Sequence, residues 1–232
     1  MVVDETAYFG STDGRVFAVN VNTGAVRWAY NTGGRINSSP SIFGKRLCVS
    51  TYAGSVFCLN RLNGRKYWST YVKRDLLRYE SFYASASTDG PRLYTTARSG
   101  KVVALSGRTG RVLWTHELGS LAYATPAIAR GRIFVGSFNG RLSAFRSETG
   151  RVLWTTTIGG RILAPAVVVG KLVFASTLDG KTVGMRVENG KIVWRRSQGR
   201  YAPGIATDRR YFFTLRGTLI SFRGQNSPKE AG

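Results

Sequence analysis

The chain has 232 residues, with 34 Lys and Arg against 12 Asp and Glu for a net charge of +22, 43% hydrophobic residues and 28 Gly. That is enough apolar material for one packed, turn-dense domain, which excludes disordered and collagen-like classes. No run approaches the roughly 18 uncharged apolar residues of a membrane-spanning helix, the opening MVVDET lacks an export-leader pattern, and one His with two Cys cannot supply a four-ligand zinc site.

Taken in order, the chain reads as short strands rich in Val, Ile, Phe and Tyr, broken by turns that carry Gly with Asn, Asp or Thr. The first residues, VVDETAYFGS, match the end of one strand and all of the next, as in VVVGKLVFAS. From there a unit recurs. Tryptophans stand at Trp28, Trp68, Trp114, Trp154 and Trp194, in steps of 40, 46, 40 and 40. Four residues before each is a glycine (Gly24, Gly64, Gly110, Gly150, Gly190), and ten before each is a small residue (Ala18, Cys58, Ala104, Ala144, Gly184). A sixth copy begins near Arg200 and ends before its Trp.

A period near 40 with four strands predicts propeller blades. The segments are 1–33, 34–73, 74–119, 120–159, 160–198 and 199–223, with the first and last incomplete and twenty-two strands expected in all. Residues 224–232, GQNSPKEAG, are expected to be a disordered tail. Such a chain is expected to be either part of a longer propeller or an arc whose open ends another chain covers, because unpaired edges recruit partners. Within each blade the inner hairpin pairs a ring with a small residue: Tyr8 with Ala18, Tyr94 with Ala104, Phe134 with Ala144, Phe174 with Gly184 and Tyr211 with Ser221. A small residue opposite a ring leaves a gap, and the expected filler is the Trp of a neighbouring blade.

The motif assembled from these positions stands as AVNVNTGAVRW, CLNRLNGRKYW, ALSGRTGRVLW, AFRSETGRVLW and GMRVENGKIVW. It resembles the tryptophan-docking repeat of the pyrroloquinoline-quinone (PQQ) type, or quinoprotein alcohol dehydrogenase-like, β-propellers. The resemblance covers nearly the whole chain and implies an all-β propeller of four-stranded antiparallel blades. The family's usual Asp two residues after the small position is replaced by Asn20, Asn60, Ser106, Arg146 and Arg186.

Function is open at this level, because the repeat serves quinone-dependent dehydrogenases, non-enzymatic scaffolds such as the outer-membrane assembly lipoprotein, and sensor modules. The dehydrogenases are implied to need adjacent cysteines against the quinone, a calcium held by Glu and Asn, and a catalytic Asp; this chain has no adjacent Cys pair. The reading is therefore a non-enzymatic scaffold or ligand-binding module of the cell envelope, without catalytic, cofactor or metal residues. The alternatives are a PQQ- and calcium-dependent alcohol or sugar dehydrogenase and the sensor domain of a membrane receptor or kinase.

Three features stand out from the repeat. Cys48 and Cys58 replace the ring and small partner of one hairpin, either as a cross-strand disulfide in an oxidising compartment or as two buried thiols. The 46-residue step holds an insertion in which Lys73, Arg74, Arg78, Tyr79, Phe82 and Tyr83 offer cationic and aromatic contacts to an acidic peptide or glycan; the alternative is an inert variable loop. Finally, Lys45, Arg46, Arg92, Arg132, Arg209 and Arg210 belong to a basic rim of turns. This rim suits an anionic polymer or membrane surface, or is solvated turn charge. No module for specific nucleic-acid recognition is present.

Overall fold

The computed structural model describes residues 1–197 and the strands at 205–206, 210–215 and 218–223, twenty-three strands and no helix among the described residues. The expected tail and Arg209 lie outside the described residues. The strands form consecutive antiparallel sheets, each a meander paired in chain order. The first contains β1 (Val2–Val3), β2 (Thr6–Gly10), β3 (Arg15–Asn20) and β4 (Val26–Asn31), and the second β5 (Ser41–Phe43), β6 (Arg46–Ser50), β7 (Ser55–Asn60) and β8 (Lys66–Tyr71). The third runs β9 (Ser87–Thr88), β10 (Arg92–Thr96), β11 (Lys101–Ser106) and β12 (Val112–Glu117). The fourth runs β13 (Ala127–Ala129), β14 (Arg132–Gly136), β15 (Arg141–Arg146) and β16 (Val152–Thr157). The fifth has β17 (Val167–Val169), β18 (Leu172–Ser176), β19 (Thr182–Arg186) and β20 (Ile192–Arg196), and the last β21 (Ile205–Ala206), β22 (Arg210–Leu215) and β23 (Thr218–Arg223). The first sheet keeps a two-residue innermost strand, so the total exceeds the expected twenty-two by one.

The sheets are the blades of a β-propeller. Innermost strands of successive blades touch, β5 with β9, β9 with β13, β13 with β17 and β17 with β21. The middle strands of an inner blade are covered on both faces by its neighbours, which is why β7 reads SVFCL, a continuous buried run, where a half-exposed sheet would alternate. The outermost strands do alternate, as in β12. On the first blade Phe9 is 45% exposed and stacks on Phe17 at 5.4 Å, whereas Val49 at the same place in the second blade is buried.

Each blade joint is built from the repeated residues. The small residue lies directly across the sheet from its own blade's Trp: Ala18 from Trp28, Cys58 from Trp68, Ala104 from Trp114, Ala144 from Trp154 and Gly184 from Trp194. The hairpin ring closes over it from the other side, with Tyr8 and Trp28 centroids 6.1 Å apart and Phe134 and Trp154 5.8 Å apart. The gap is thus spanned within the blade, correcting the expectation that a neighbouring Trp fills it. The indole instead reaches the next blade at its last turn. Nε1 of Trp28 donates to the Arg61 carbonyl at 3.0 Å, Trp68 to Gly107 at 3.2 Å, Trp114 to Ser147 at 3.0 Å and Trp154 to Val187 at 3.0 Å. The ring faces of these indoles lie on Gly64, Gly110, Gly150 and Gly190, where an added Cβ would sit 2.5–2.8 Å from ring carbons. Each of these glycines has φ near +70°, so the position excludes a side chain on two counts. Gly24 shares the φ of +71° but has nothing within 4 Å.

One pairing differs from expectation. Ser221 faces Phe212, not Tyr211. Two residues separate the paired Leu215 and Thr218, where five separate Ser50 and Val56, and an even connection in place of an odd one moves the register by one.

Candidate protein-interaction site

The blade repeat gives the molecule two distinct ends. At one end the turn after the first strand and the turn after the third are tied in every complete blade, for example by Arg61 N–H to the Lys45 carbonyl at 2.9 Å and Ser147 N–H to Gly131 at 3.0 Å. At the other end the hairpin turn between the second and third strands is tied to the connection between blades, by Tyr52 N–H to Arg35 and Arg98 N–H to Ser81, both at 2.8 Å. The insertion emerges at this second end.

Residues 72–80 form a small hairpin. Lys73 and Tyr79 make an antiparallel bridge, and Arg74 N–H donates to the Arg78 carbonyl at 2.9 Å. Asp75 shapes the turn: its Oδ1 accepts from the N–H groups of Leu77 at 3.0 Å and Arg78 at 2.9 Å, and its Oδ2 pairs with the Arg78 guanidinium at 2.8 Å. The Leu77 N–H foremost, then the Arg78 side chain, holds this carboxyl below the usual range. With the Asp75 carboxylate tied into the turn, Leu76 and Leu77 are lifted clear of the protein, each 93% exposed.

The hairpin is braced from below. Glu80 is buried, its side chain 1% exposed, and pairs at 3.2 Å with Lys101 Nζ. Lys101 Nζ also donates to the Lys73 carbonyl at 2.9 Å and lies 3.4 Å from Glu117. Val72 N–H donates to Gly54 and Glu80 N–H to Val72, at 2.8 and 2.9 Å. Gly54, with φ +79°, is glycine because a Cβ would collide with the Glu80 carbonyl. Tyr71 and Tyr79 pack against each other at a tilt, centroids 5.3 Å apart, along one flank.

The six residues singled out in this insertion therefore separate. Lys73, Arg74, Arg78 and Tyr79 are exposed on the hairpin. Phe82 is not a contact residue: it is fully buried, bridged to Ala97, in the core position that Ile36, Ala122 and Ile162 take in the other connections. Tyr83 joins a belt that sequence reasoning missed. Tyr52, Tyr83, Tyr123 and Phe138 follow one another at centroid spacings of 5.0, 5.8 and 6.2 Å, and the Arg161 guanidinium lies 5.4 Å from the Phe138 ring. The Tyr83 hydroxyl lowers the pKa of Tyr52 and has its own raised by that partner, and Tyr123 raises that of Arg98. These residues come from four chain segments, so no local spacing announces them.

Cys48 and Cys58 are joined in a disulfide across β6 and β7. On the opposite end the basic rim is uneven. Lys45 is exposed, Arg46 lies over the Tyr67 ring at 4.8 Å, and Arg92 pairs with Asp89 at 3.2 Å and Glu148 at 3.5 Å. Arg132 lines a recess, and Arg210 begins β22. His116 packs on the Phe145 ring at 4.9 Å. Among the described residues no three His, Cys, Asp or Glu converge, and Cys48 and Cys58 are locked in a buried disulfide.

The family model described as outer membrane protein assembly factor BamB matches residues 1–76 and 54–208. The BamB of Shewanella oneidensis is 28% identical over 137 residues, which is 54% of this chain and 34% of that protein. That of Legionella pneumophila is 27% identical over 146 residues, 56% of this chain and 35% of that protein. The chain thus spans about a third of the length of these relatives. Among solved structures, BamB from Moraxella catarrhalis superposes with a TM-score of 0.78 at 20% identity, over 96% of this chain and 71% of that one. The quinohemoprotein alcohol dehydrogenase of Comamonas testosteroni gives 0.70 at 12% identity, over 88% and 42%. At these identities the superpositions speak for the fold alone.

Proposed function

Because the chain belongs to the BamB family of PQQ-like repeat propellers, we propose that it is a non-enzymatic scaffold of outer-membrane protein assembly, seated in the cell envelope and docking a protein partner through the 72–80 hairpin. The observation that carries this reading is the pair Leu76 and Leu77, 93% exposed on a hairpin that a buried ion pair holds upright. Exposed apolar side chains are common singly, but two adjacent ones at a braced tip present surface whose burial contributes roughly 1.5–3 kcal/mol per residue. Lys73, Arg74 and Arg78 surround them, with Asp75 already engaged by Arg78. The complement is an apolar cleft with an acidic rim on the partner. The Cys48–Cys58 disulfide supports an oxidising compartment. No cofactor takes part in this reading.

The test uses the chain in its organism of origin, with a photo-crosslinking amino acid in place of Leu77. Adducts with a component of the outer-membrane assembly machinery are expected, and capture of that component should fall at least about tenfold in L76S/L77S, as expected for losing two buried leucines. Undiminished capture by L76S/L77S, or crosslinks to lipid alone, would refute the reading.

A further inference from the structure

A recess of about 270 Å³ opens at the turn end of the fourth blade, lined by Arg130, Arg132, Arg146, Glu148 and Leu153. Three of its lining residues are arginines.

Arg132 and Arg146 face each other directly on β14 and β15. Like charges in that relation repel. The corresponding pairs in the other four-stranded blades are Thr6 with Asn20, Arg46 with Asn60, Arg92 with Ser106 and Leu172 with Arg186. In the first three blades the second member caps the following turn: Asn20 and Asn60 accept from N–H groups two residues on, at 2.8 and 2.9 Å, and Ser106 accepts from Thr109 at 3.3 Å. Arg146 puts a cation where those blades place an acceptor.

Arg132 Nε is buried without a hydrogen-bond acceptor, as is Arg46 Nε at the same place in the second blade. Arg46 lies over the Tyr67 ring, but the position of Tyr67 is Leu153 in this blade. Glu148, the acid that lines the recess, is drawn to Arg92 at 3.5 Å. Arg130 adopts φ +52° beside Gly131 at +67°, as Asp4 and Glu5 adopt +47° and +56° in the corresponding turn of the first blade. This two-residue turn has the geometry that Asn-Gly fills best, and a long cationic side chain there is unfavoured locally.

We propose that the recess binds a phosphate-type oxyanion. Three guanidiniums against one carboxylate leave two positive charges, matching a phosphate dianion. Planar guanidiniums grip such oxygens through paired hydrogen bonds. A bound phosphate would give Arg132 Nε its acceptor and turn the repulsion between Arg132 and Arg146 into shared attraction.

Inorganic phosphate is titrated against the whole chain in chloride buffer at constant ionic strength, followed by calorimetry and melting temperature. Saturable binding at one site is expected, weakened at least about tenfold in R132Q and in R146Q, since each loses charge-assisted hydrogen bonds. R108Q, which removes an equal charge from an exposed turn, should leave it unchanged. R130N should raise the melting temperature in chloride and lower the gain on adding phosphate, which separates a binding role from a merely structural one. Sedimentation with phosphatidylcholine vesicles containing phosphatidic acid distinguishes the sources. Pelleting that drops in R132Q but not R108Q assigns a lipid headgroup; equal pelleting with phosphate binding intact assigns a soluble phosphate compound. A response to phosphate no greater than to chloride, or one unchanged in R132Q and R146Q, would overturn the proposal.

Discussion

The blade joints and the 72–80 hairpin spend their apolar residues in opposite ways. At each joint a large ring is held in place by two small residues, its own blade's partner and the next blade's glycine, and its Nε1 is satisfied by a carbonyl across the joint. At the hairpin, the turn made by Asp75 and the lock between Glu80 and Lys101 keep Leu76 and Leu77 away from every apolar neighbour. Polar groups serve the burial of a ring in one place and the exposure of two leucines in the other. The residues of the repeated motif are thus accounted for by packing, whereas Leu76 and Leu77, which stand outside it, are available for recognition.

Removing a joint ring should have the largest effect on stability. Trp68 is 8% exposed, so Trp68→Ala is expected to cost about 3–5 kcal/mol of unfolding free energy, while L76S/L77S should stay within about 0.5 kcal/mol of the parent. Urea unfolding of both reads the difference. Equal losses would mean that the leucines are packed after all.

The hairpin lock comes next. Lys101→Met leaves the Glu80 carboxylate buried without its cation, and a loss of about 3 kcal/mol is expected, with faster amide exchange across 72–80. E80Q/K101M should recover most of the stability, because both charges are gone. If the single variant is neutral, the lock does not hold the hairpin.

These contrasts also mark what was legible in the sequence. The Trp, the Gly four residues before it and the ring opposite a small residue recur at fixed offsets, so a spacing argument could reach them without coordinates. The insertion hides the register of Phe82. Counted back from Trp114 it stands 32 residues away, as Ile36 does from Trp68, Ala122 from Trp154 and Ile162 from Trp194, and all four are buried. Leu76 and Leu77 have no such counterpart and fall where no neighbouring blade covers them. The slip from Tyr211 to Phe212 follows from the shorter, even-numbered connection between the paired Leu215 and Thr218. The Tyr52, Tyr83, Tyr123 and Phe138 belt, like the recess beside Arg132, exists only once the ends of several blades are brought together.

The smallest expected effect concerns one residue that ties two blades at the turn end. The Tyr94 hydroxyl donates to Asp89 Oδ2 at 2.8 Å and lies 3.2 Å from the Ser147 carbonyl, the same carbonyl that Trp114 Nε1 reaches. Burial, reinforced by the Asp89 carboxylate, pushes its pKa up to about 12. Tyr94→Phe at neutral pH should cost only about 1 kcal/mol, because Arg92 still satisfies Asp89 and Trp114 still satisfies Ser147. The distinguishing feature is the alkaline limb. Below pH 10 the phenol is protonated in both folded and unfolded chains; between about 10 and 12 the unfolded chain ionises first, so stability falls as pH rises. Unfolding free energies at pH 8 and pH 11 should converge between the parent and Tyr94→Phe as pH rises. Parallel curves would mean that the hydroxyl is solvated and that the tie between blades rests on Trp114 alone.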